Sequence, residues 1–360
     1  MRAPPLHRLA LALLGLAGCQ PTQGETGSFT TVQPTAPAST DDSSTGASSS
    51  TTGGGGATGS TSTSEVSTGT DSGATGASGT LLLDVGTDKD IGDPKPPGCK
   101  GKIDFLFVLS RDGSMKDAQA KLIAAFPKFI ATIESKFADF DFHIMVIDGD
   151  HEWGLEPCDV DCEKQGSCEV PGYPCDLLDL VTACDRTIGA GSVFPTGGYA
   201  TNKPCNIAGG RRYLTKEQPN LTETFACVAK LGISGRDLLG EAMTAAMQPA
   251  INAPGSCNAG FLRDDALLMV TFIGGYDYDS KGTPGTWAKS VLEAKKGDPG
   301  AVVMLSIVDS QCPYPHDRIC MLAKKFPYYH LADVAYSDYA LAFDKATDLV
   351  EVACAEYIPG

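Results

Sequence analysis

The segment Lys102–Met115, which reads KIDFLFVLSRDGSM, decides the fold of this chain. Ile103–Leu109 is apolar except for Asp104, and most of its residues favour β-strands. Because the run is apolar on both faces, it is typical of a central strand in a parallel sheet. Polarity then changes abruptly at Ser110, and helical spacing of apolar residues predicts an amphipathic helix over Met115–Phe137. A strand, a polar loop and a helix form the first unit of a doubly wound sheet, whose ligands bind at the carboxyl ends of the strands.

Strands and helices continue to alternate to the end of the chain. The predicted strands are Asp141–Asp148, Ala266–Ile273, Ala301–Val308 and His330–Val334. The predicted helices are Thr222–Leu231, Leu238–Met247, Thr283–Lys296, Asp317–Lys325 and Ser337–Cys354. Between residues 149 and 222 no period is sustained, and six cysteines lie among Gly and Pro residues. We therefore predict an α/β fold with a doubly wound, mostly parallel sheet and a Cys-rich insertion stapled mainly by its own disulfides.

The order of elements over residues 102–357, together with Gly113-Ser114-Met115 after the first strand, resembles the von Willebrand factor type A (vWA) domain. The resemblance implies a metal-ion-dependent adhesion site. In that site a D-x-S-x-S loop, a Thr in a second loop and an Asp after a central strand hold a divalent ion. This chain departs from the pattern, because Ser110 and Asp112 stand where the family has Asp and Ser. Its loop reads S-x-D-x-S.

The metal ligands that the resemblance leaves in this chain are Ser110, Asp112, Ser114 and Ser234. Gly274 stands where the family has its last Asp. We therefore expect a degenerate site that requires no cofactor and whose oxygen ligands would suit Mg²⁺ if they held an ion. Two alternatives stay open. Asp112 caps the first helix, or Arg111 or Arg236 replaces the cation.

The amino-terminal third of the sequence differs from the rest. Residues 1–18 have a basic start and a short apolar core, which predicts a signal peptide. Leu16-Ala17-Gly18-Cys19 resembles a bacterial lipobox, which implies cleavage before Cys19 and its lipidation. Residues 19–98 are rich in Ser, Thr and Gly and predict a disordered tether, leaving 99–360 as the vWA-like domain. We expect a lipid-anchored protein of the cell envelope, at the outer membrane or cell surface.

Charge and cysteine content restrict the partners and the compartment. The net charge of −16 argues against nucleic acid and against any membrane contact other than the lipid anchor. Thirteen cysteines include Cys19, and the other twelve predict up to six disulfides in an oxidising compartment. The rival interpretation, a zinc site, lacks any C-x-x-C pair. Since the ends of a vWA domain lie close together, the resemblance favours Cys99 with Cys354, and Cys312 with Cys320 would close a short loop.

Three functions are compatible with these features. The first is a surface-tethered, non-catalytic adhesion module that binds a protein or a polysaccharide. The second is a secreted hydrolase that uses Asp148, Asp150 and His151 for acid-base catalysis. The alternative interpretation of these three residues is an acidic loop that faces water. The third is a structural lipoprotein of the envelope without a specific ligand. No nucleophile elbow or metal-ligand spacing supports the hydrolase.

Replacing Cys19 by Ser tests the lipid anchor. The thiol is the predicted attachment point, so the variant should leave the membrane fraction and lose the mass of the acyl chains. Cell fractionation and intact-mass measurement give the readout. A variant that stays in the membrane fraction with the wild-type mass would show that Cys19 carries no lipid.

Overall fold

The structure is a computed structural model that describes residues 99, 101–150, 175–233, 236–275, 277, 279–309 and 317–357. Six strands lie in this part of the chain. They are β1 (Lys102–Leu109), β2 (Asp141–Asp148), β3 (Leu214–Thr215), β4 (Leu267–Ile273), β5 (Val302–Val308) and β6 (Tyr328–Asp333). The seven α-helices of the same residues are α1 (Lys116–Lys136), α2 (Leu221–Ala229), α3 (Leu239–Ala246), α4 (Pro249–Asn252), α5 (Pro284–Ala294), α6 (Arg318–Ala323) and α7 (Ala340–Glu356).

The strands form one sheet in the order β3-β2-β1-β4-β5-β6. All neighbours are parallel except β3, which pairs antiparallel with β2 at the edge. Helices α1, α2 and α7 pack together in one layer, whereas α3, α5 and α6 form a second layer. This arrangement confirms the predicted α/β fold with a doubly wound, mostly parallel sheet.

The topological switch point lies between β1 and β4. The chain leaves β1 towards β2 on one side and later returns to β4 on the other side. Leu109, the last residue of β1, is in register with both Asp148 and Ile273. The next residue, Ser110, donates its backbone N–H to the carbonyl of Ile273 at 2.9 Å. The loop after β1 therefore begins in the crevice where ligands of doubly wound sheets bind.

Asp104, the polar residue inside the buried run of β1, is satisfied at the opposite end of the sheet. Its carboxylate is fully buried and accepts hydrogen bonds from the backbone N–H and the Nε of Arg263, both at 2.8 Å. Arg263 also donates to the carbonyl of Ile103 at 3.0 Å and pairs with Asp141. This arginine joins the starts of β1 and β2 to the segment before β4, because a buried carboxylate requires a hydrogen-bonded partner.

Two cysteines of the insertion depart from the expectation that its disulfides are drawn mainly from its own six cysteines. Cys184 bonds to Cys257, and Cys205 bonds to Cys227, so both partners lie outside residues 149–222. The reason is packing, since Asn258 exchanges hydrogen bonds of 2.8 and 2.9 Å with the backbone of residues 189 and 191. The insertion also contains the edge strand β3, which is too short to show a period in the sequence. The side chains of the other insertion cysteines, Cys158, Cys162, Cys168 and Cys175, lie outside the described residues.

Cys99 and Cys354, the pair favoured by the family resemblance, are joined in the structure. Cys320 is also disulfide-bonded, and Cys312 lies outside the described residues. Cys99 precedes β1 and Cys354 lies in α7, so this bond fixes the start of the domain to its last helix. Within the described ranges, no helix has the length and apolarity needed to cross a membrane.

Removing the Cys99–Cys354 bond should lower the free energy of unfolding by about 2–4 kcal/mol. The bond joins residues 255 positions apart, whereas Cys205–Cys227 spans 22. Since loop-closure entropy grows with loop length, the double variant Cys99→Ala/Cys354→Ala should lose about 2 kcal/mol more than Cys205→Ala/Cys227→Ala. Urea unfolding of both variants gives the comparison. Equal losses would show that closure entropy does not set the contribution of these bonds.

Candidate functional site at the carboxyl ends of the strands

The loop after β1 directs three consecutive side chains into different environments. Ser110 is fully buried, and its hydroxyl donates a hydrogen bond to the carboxylate of Asp237. The same hydroxyl accepts a bond from the backbone N–H of Asp112 at 3.0 Å. Asp112 is exposed, whereas Arg111 between them is only 1% exposed. The loop therefore holds one buried hydroxyl, one buried cation and one exposed carboxylate.

Asp112 caps the short 3₁₀ turn Gly113–Met115 that leads into α1. Its Oδ1 accepts hydrogen bonds from the backbone N–H and the hydroxyl of Ser114, at 2.9 and 2.7 Å. These bonds to the ionised form lower the pKa of the Asp112 carboxyl. The structure therefore contains the cap that the sequence allowed for Asp112. The element that Asp112 caps is the 3₁₀ turn that precedes α1, not α1 itself. Ser110, Asp112 and Ser114 lie together as expected, but they bond to one another and to Asp237.

Arg111 turns away from Asp112 towards the end of β2. Its guanidinium lies 3.5 Å from Asp148 and 3.9 Å from Asp150, and it donates to the carbonyl of Thr196 at 3.0 Å. Asp150 is 5% exposed, which corrects the interpretation of these aspartates as an acidic loop facing water. Burial raises the pKa of Asp148 to about 6, although Arg111 opposes this shift. His151, the third residue of the hydrolase hypothesis, lies outside the described residues.

Asp237 is the site residue that the sequence reasoning missed. It follows the second loop and lies one residue before the cap of α3, where the sequence predicts Ser234 as a ligand and offers Arg236 as a replacement for the cation. Burial raises the pKa of its carboxyl to about 6, and the charges of Asp112 and Asp277 add to the effect. The hydrogen bonds from the Ser110 hydroxyl and the Arg111 backbone N–H oppose the shift. Ser234 itself lies outside the described residues.

Gln119 joins the first loop to the second. Its side chain is buried, and its Nε2 donates to the carbonyls of Ser110 and Gly232 at 3.1 and 2.8 Å. Its Oε1 accepts the backbone N–H of Gly232 at 3.1 Å. Because this amide lies on the first turns of α1, the helix fixes the spacing of the two loops.

A side chain at the third position of the implied metal site would displace the end of the Leu239 side chain. A Cβ at Gly274 would lie 2.7 Å from Cδ1 of Leu239 and 3.1 Å from Cβ of Ser110. The nearest downstream carboxylate, Asp277, is buried and serves the fold. It accepts the backbone N–H of Gly240 at 2.6 Å and the hydroxyl of Ser280 at 2.8 Å.

The described donor set does not fit Mg²⁺. This ion requires near-octahedral oxygen coordination, usually with carboxylates in the set. The hydroxyls of Ser110 and Ser114 are engaged by Asp237 and Asp112, and Gly274 supplies no carboxylate at the third position. Within the described ranges, no group of three His, Cys, Asp or Glu side chains is placed to hold a metal ion.

A groove of about 540 Å³ opens beside this loop. It lies over the carboxyl ends of β1, β4, β5 and β6. The lining residues are Asp112, Ser114, Met115, Asp117, Ala118, Lys121, Asp237, Gly275, Asp309, Val334 and Ala335. Four of these side chains are acidic, and one is basic. The groove is therefore an acidic recess with an apolar wall at the switch point of the sheet.

Comparison with known proteins gives little further information. No protein-family model matches the chain, and no curated protein matches it. Among solved structures it is similar to proximal thread matrix protein 1 from the mussel byssus, with 14% identity and a TM-score of 0.34 over 71% of this chain. A second crystal form, at 13% identity, and a form with a zinc-occupied MIDAS motif, at 14%, have the same TM-score over 72% of this chain. The chain spans about half of that protein, 47% of its length.

Asp237→Asn should make the protein more stable at neutral pH. A carboxyl whose folded pKa is raised to about 6 from 3.8 lowers stability progressively as pH rises between those values, and the loss is complete above 6. The variant should therefore gain about 1 kcal/mol at pH 7.5, a figure discounted for partial solvation, and the gain should vanish near pH 4. Urea unfolding from pH 4 to 8 gives the profile. A loss of stability that is the same at every pH would mean that the carboxylate is needed for its hydrogen bonds, not tolerated at a cost.

Proposed function

We propose that this chain is a non-catalytic binding module with a vWA-like domain, and that its acidic groove receives a protein partner. The observation that carries the proposal is the position of the groove. It lies at the switch point between β1 and β4, where doubly wound sheets bind their ligands. The vWA-like identity rests on the sequence resemblance together with the parallel sheet.

The buried arginine supports a binding role over a hydrolytic one. A general acid-base pair must reach its substrate. Asp148 and Asp150 are instead 19% and 5% exposed, and both lie within 4 Å of Arg111. An arginine in this position pairs with both carboxylates and fills the space beside them.

The chemistry of the groove favours a protein over a polysaccharide. Its carboxylates complement basic residues, which proteins carry and most polysaccharides lack. Tyr199 and Tyr336 project from neighbouring loops and are each 53% exposed, and tyrosine is enriched in the cores of protein interfaces. Lys116, at the start of α1, lies 4.2 Å from the ring centre of Tyr199.

The tether completes the proposal. A chain lipidated at Cys19, with about eighty residues rich in Ser, Thr and Gly before the domain, would present the groove at a distance from the envelope surface. The partner would then be a protein outside the cell or on a neighbouring surface.

We expect the wild type to bind its partner in the absence of metal ions. A substitution that blocks the groove should abolish this binding. Ala335 lines the groove and is exposed, so Ala335→Arg places a bulky cation there without touching the core. The matched control is Ala131→Arg, an exposed position about 24 Å along α1 from its first turn. The full chains are immobilised in EDTA and exposed to the envelope and extracellular fractions of the source cells.

The expected result is a protein that is retained by the wild type and by Ala131→Arg but lost with Ala335→Arg. Retention by all three chains would place the binding surface elsewhere. Retention that requires added Mg²⁺ would show that the site is metal-dependent.

A further inference from the structure

We infer that the groove holds a lysine or arginine side chain of the partner protein, with its charged end between Asp112 and Asp237. The inference rests on the proposed function and specifies the chemistry of its ligand. In this arrangement the cation belongs to the partner, where the family resemblance would place a metal ion.

The charges on the groove are not balanced by its own lysine. Asp112 and Asp237 flank the buried hydroxyl of Ser110, which bonds to both residues. Lys121, the one basic residue among the described side chains that line the groove, donates to the carbonyl of Val334 at 3.2 Å. Its Nζ also lies 5.7 Å from the ring centre of Tyr339. The ammonium group of Lys121 is thus directed to the far wall, and the floor beside Ser110 keeps its negative charge.

The apolar wall distinguishes a long cationic side chain from a bare ion. Met115 and Ala118 are buried on one side, and Val334 and Ala335 line the other. Lysine and arginine bury their methylene stems on apolar surface while the charged end stays with polar groups. A divalent ion would use none of this surface, whereas a Lys or Arg side chain would contact the wall and the carboxylates together.

The position of Asp237 near Asp112 favours the binding of a cation. Its carboxyl is half-buried and accepts the Ser110 hydroxyl, which in turn accepts the backbone N–H of Asp112. A cation placed between the two carboxylates would relieve their repulsion and offset the cost of burial. An ammonium or guanidinium needs only two or three acceptors, fewer than the six oxygens that Mg²⁺ requires.

The test uses small probes of known charge. The full chain, labelled at its Met, Ala and Val methyl groups, is titrated in EDTA and low salt with N-acetyl-lysine methylamide and N-acetyl-arginine methylamide. We expect saturable shifts of the Met115, Ala118, Val334 and Ala335 methyl signals, with dissociation constants in the millimolar range typical of such small ligands. The neutral isostere N-acetyl-citrulline methylamide should bind at least tenfold more weakly.

Two variants and one control test the role of the carboxylates. Asp112→Asn and Asp237→Asn should each weaken binding of both cationic probes about tenfold, the usual effect of losing one charged hydrogen-bond partner. Asp264→Asn makes the same change of net charge at a residue that is 74% exposed and precedes β4, at the opposite end of the sheet. This control should bind as the wild type does.

Four outcomes would overturn the inference. Equal binding of citrulline would mean that only the apolar wall contributes, and equal weakening by Asp264→Asn would mean that only net charge matters. Saturable Mg²⁺ binding at the same methyl groups, dependent on Asp112, would restore a metal site. If neither cationic probe binds but Ala335→Arg still loses the protein partner, the ligand chemistry is wrong while the proposed function stands.

Discussion

The pairing of one buried cation, Arg111, determines how the loops at the carboxyl ends of the strands are arranged. Leaving a buried guanidinium or its carboxylates unpaired costs about 3–5 kcal/mol, so Arg111 must point to Asp148 and Asp150. Its hydrogen bond to the carbonyl of Thr196 also anchors the insertion over the end of β2. With Arg111 fixed there, its two neighbours are free to face the other side. Ser110 reaches Asp237, and Asp112 faces the groove.

This arrangement gives the two sides of the carboxyl edge of the sheet different charge. One side has a buried arginine paired with aspartates, and the other side is acidic. On the β2 side, Arg111 forms ion pairs with two aspartates. On the side of β4, β5 and β6, the groove keeps four aspartates against one lysine. Compared with the D-x-S-x-S pattern, Ser and Asp have exchanged places in the first loop. The carboxylate of the loop therefore lies at the exposed position 112 and not at the buried position 110, which adds to this difference in charge. The acidic groove is thus a consequence of how the loop satisfies its buried groups.

The sequence predicted those features that depend on local pattern. Strand β2 was predicted with its observed bounds, and β1 and β4 to within one residue, because their residues are apolar on both faces and end at polar loops. Features that depend on distant contacts could not be predicted. Asp237 joins the site through a hydrogen bond between residues 127 positions apart. The pairing of Cys184 with Cys257 likewise depends on packing between separate segments, which no local period records.

Packing, as well as the missing carboxylates, distinguishes this loop cluster from the metal site that the vWA resemblance implies. Leu239, the first residue of α3, occupies the space that a side chain at position 274 would need. An aspartate at position 110 would bring a second carboxylate against Asp237, in a place with no solvent exposure. Two like charges in contact would repel each other and raise one pKa strongly unless a cation lay between them. Carboxylates at both positions would therefore require the Leu239 side chain to shift and a cation to balance the pair at positions 110 and 237.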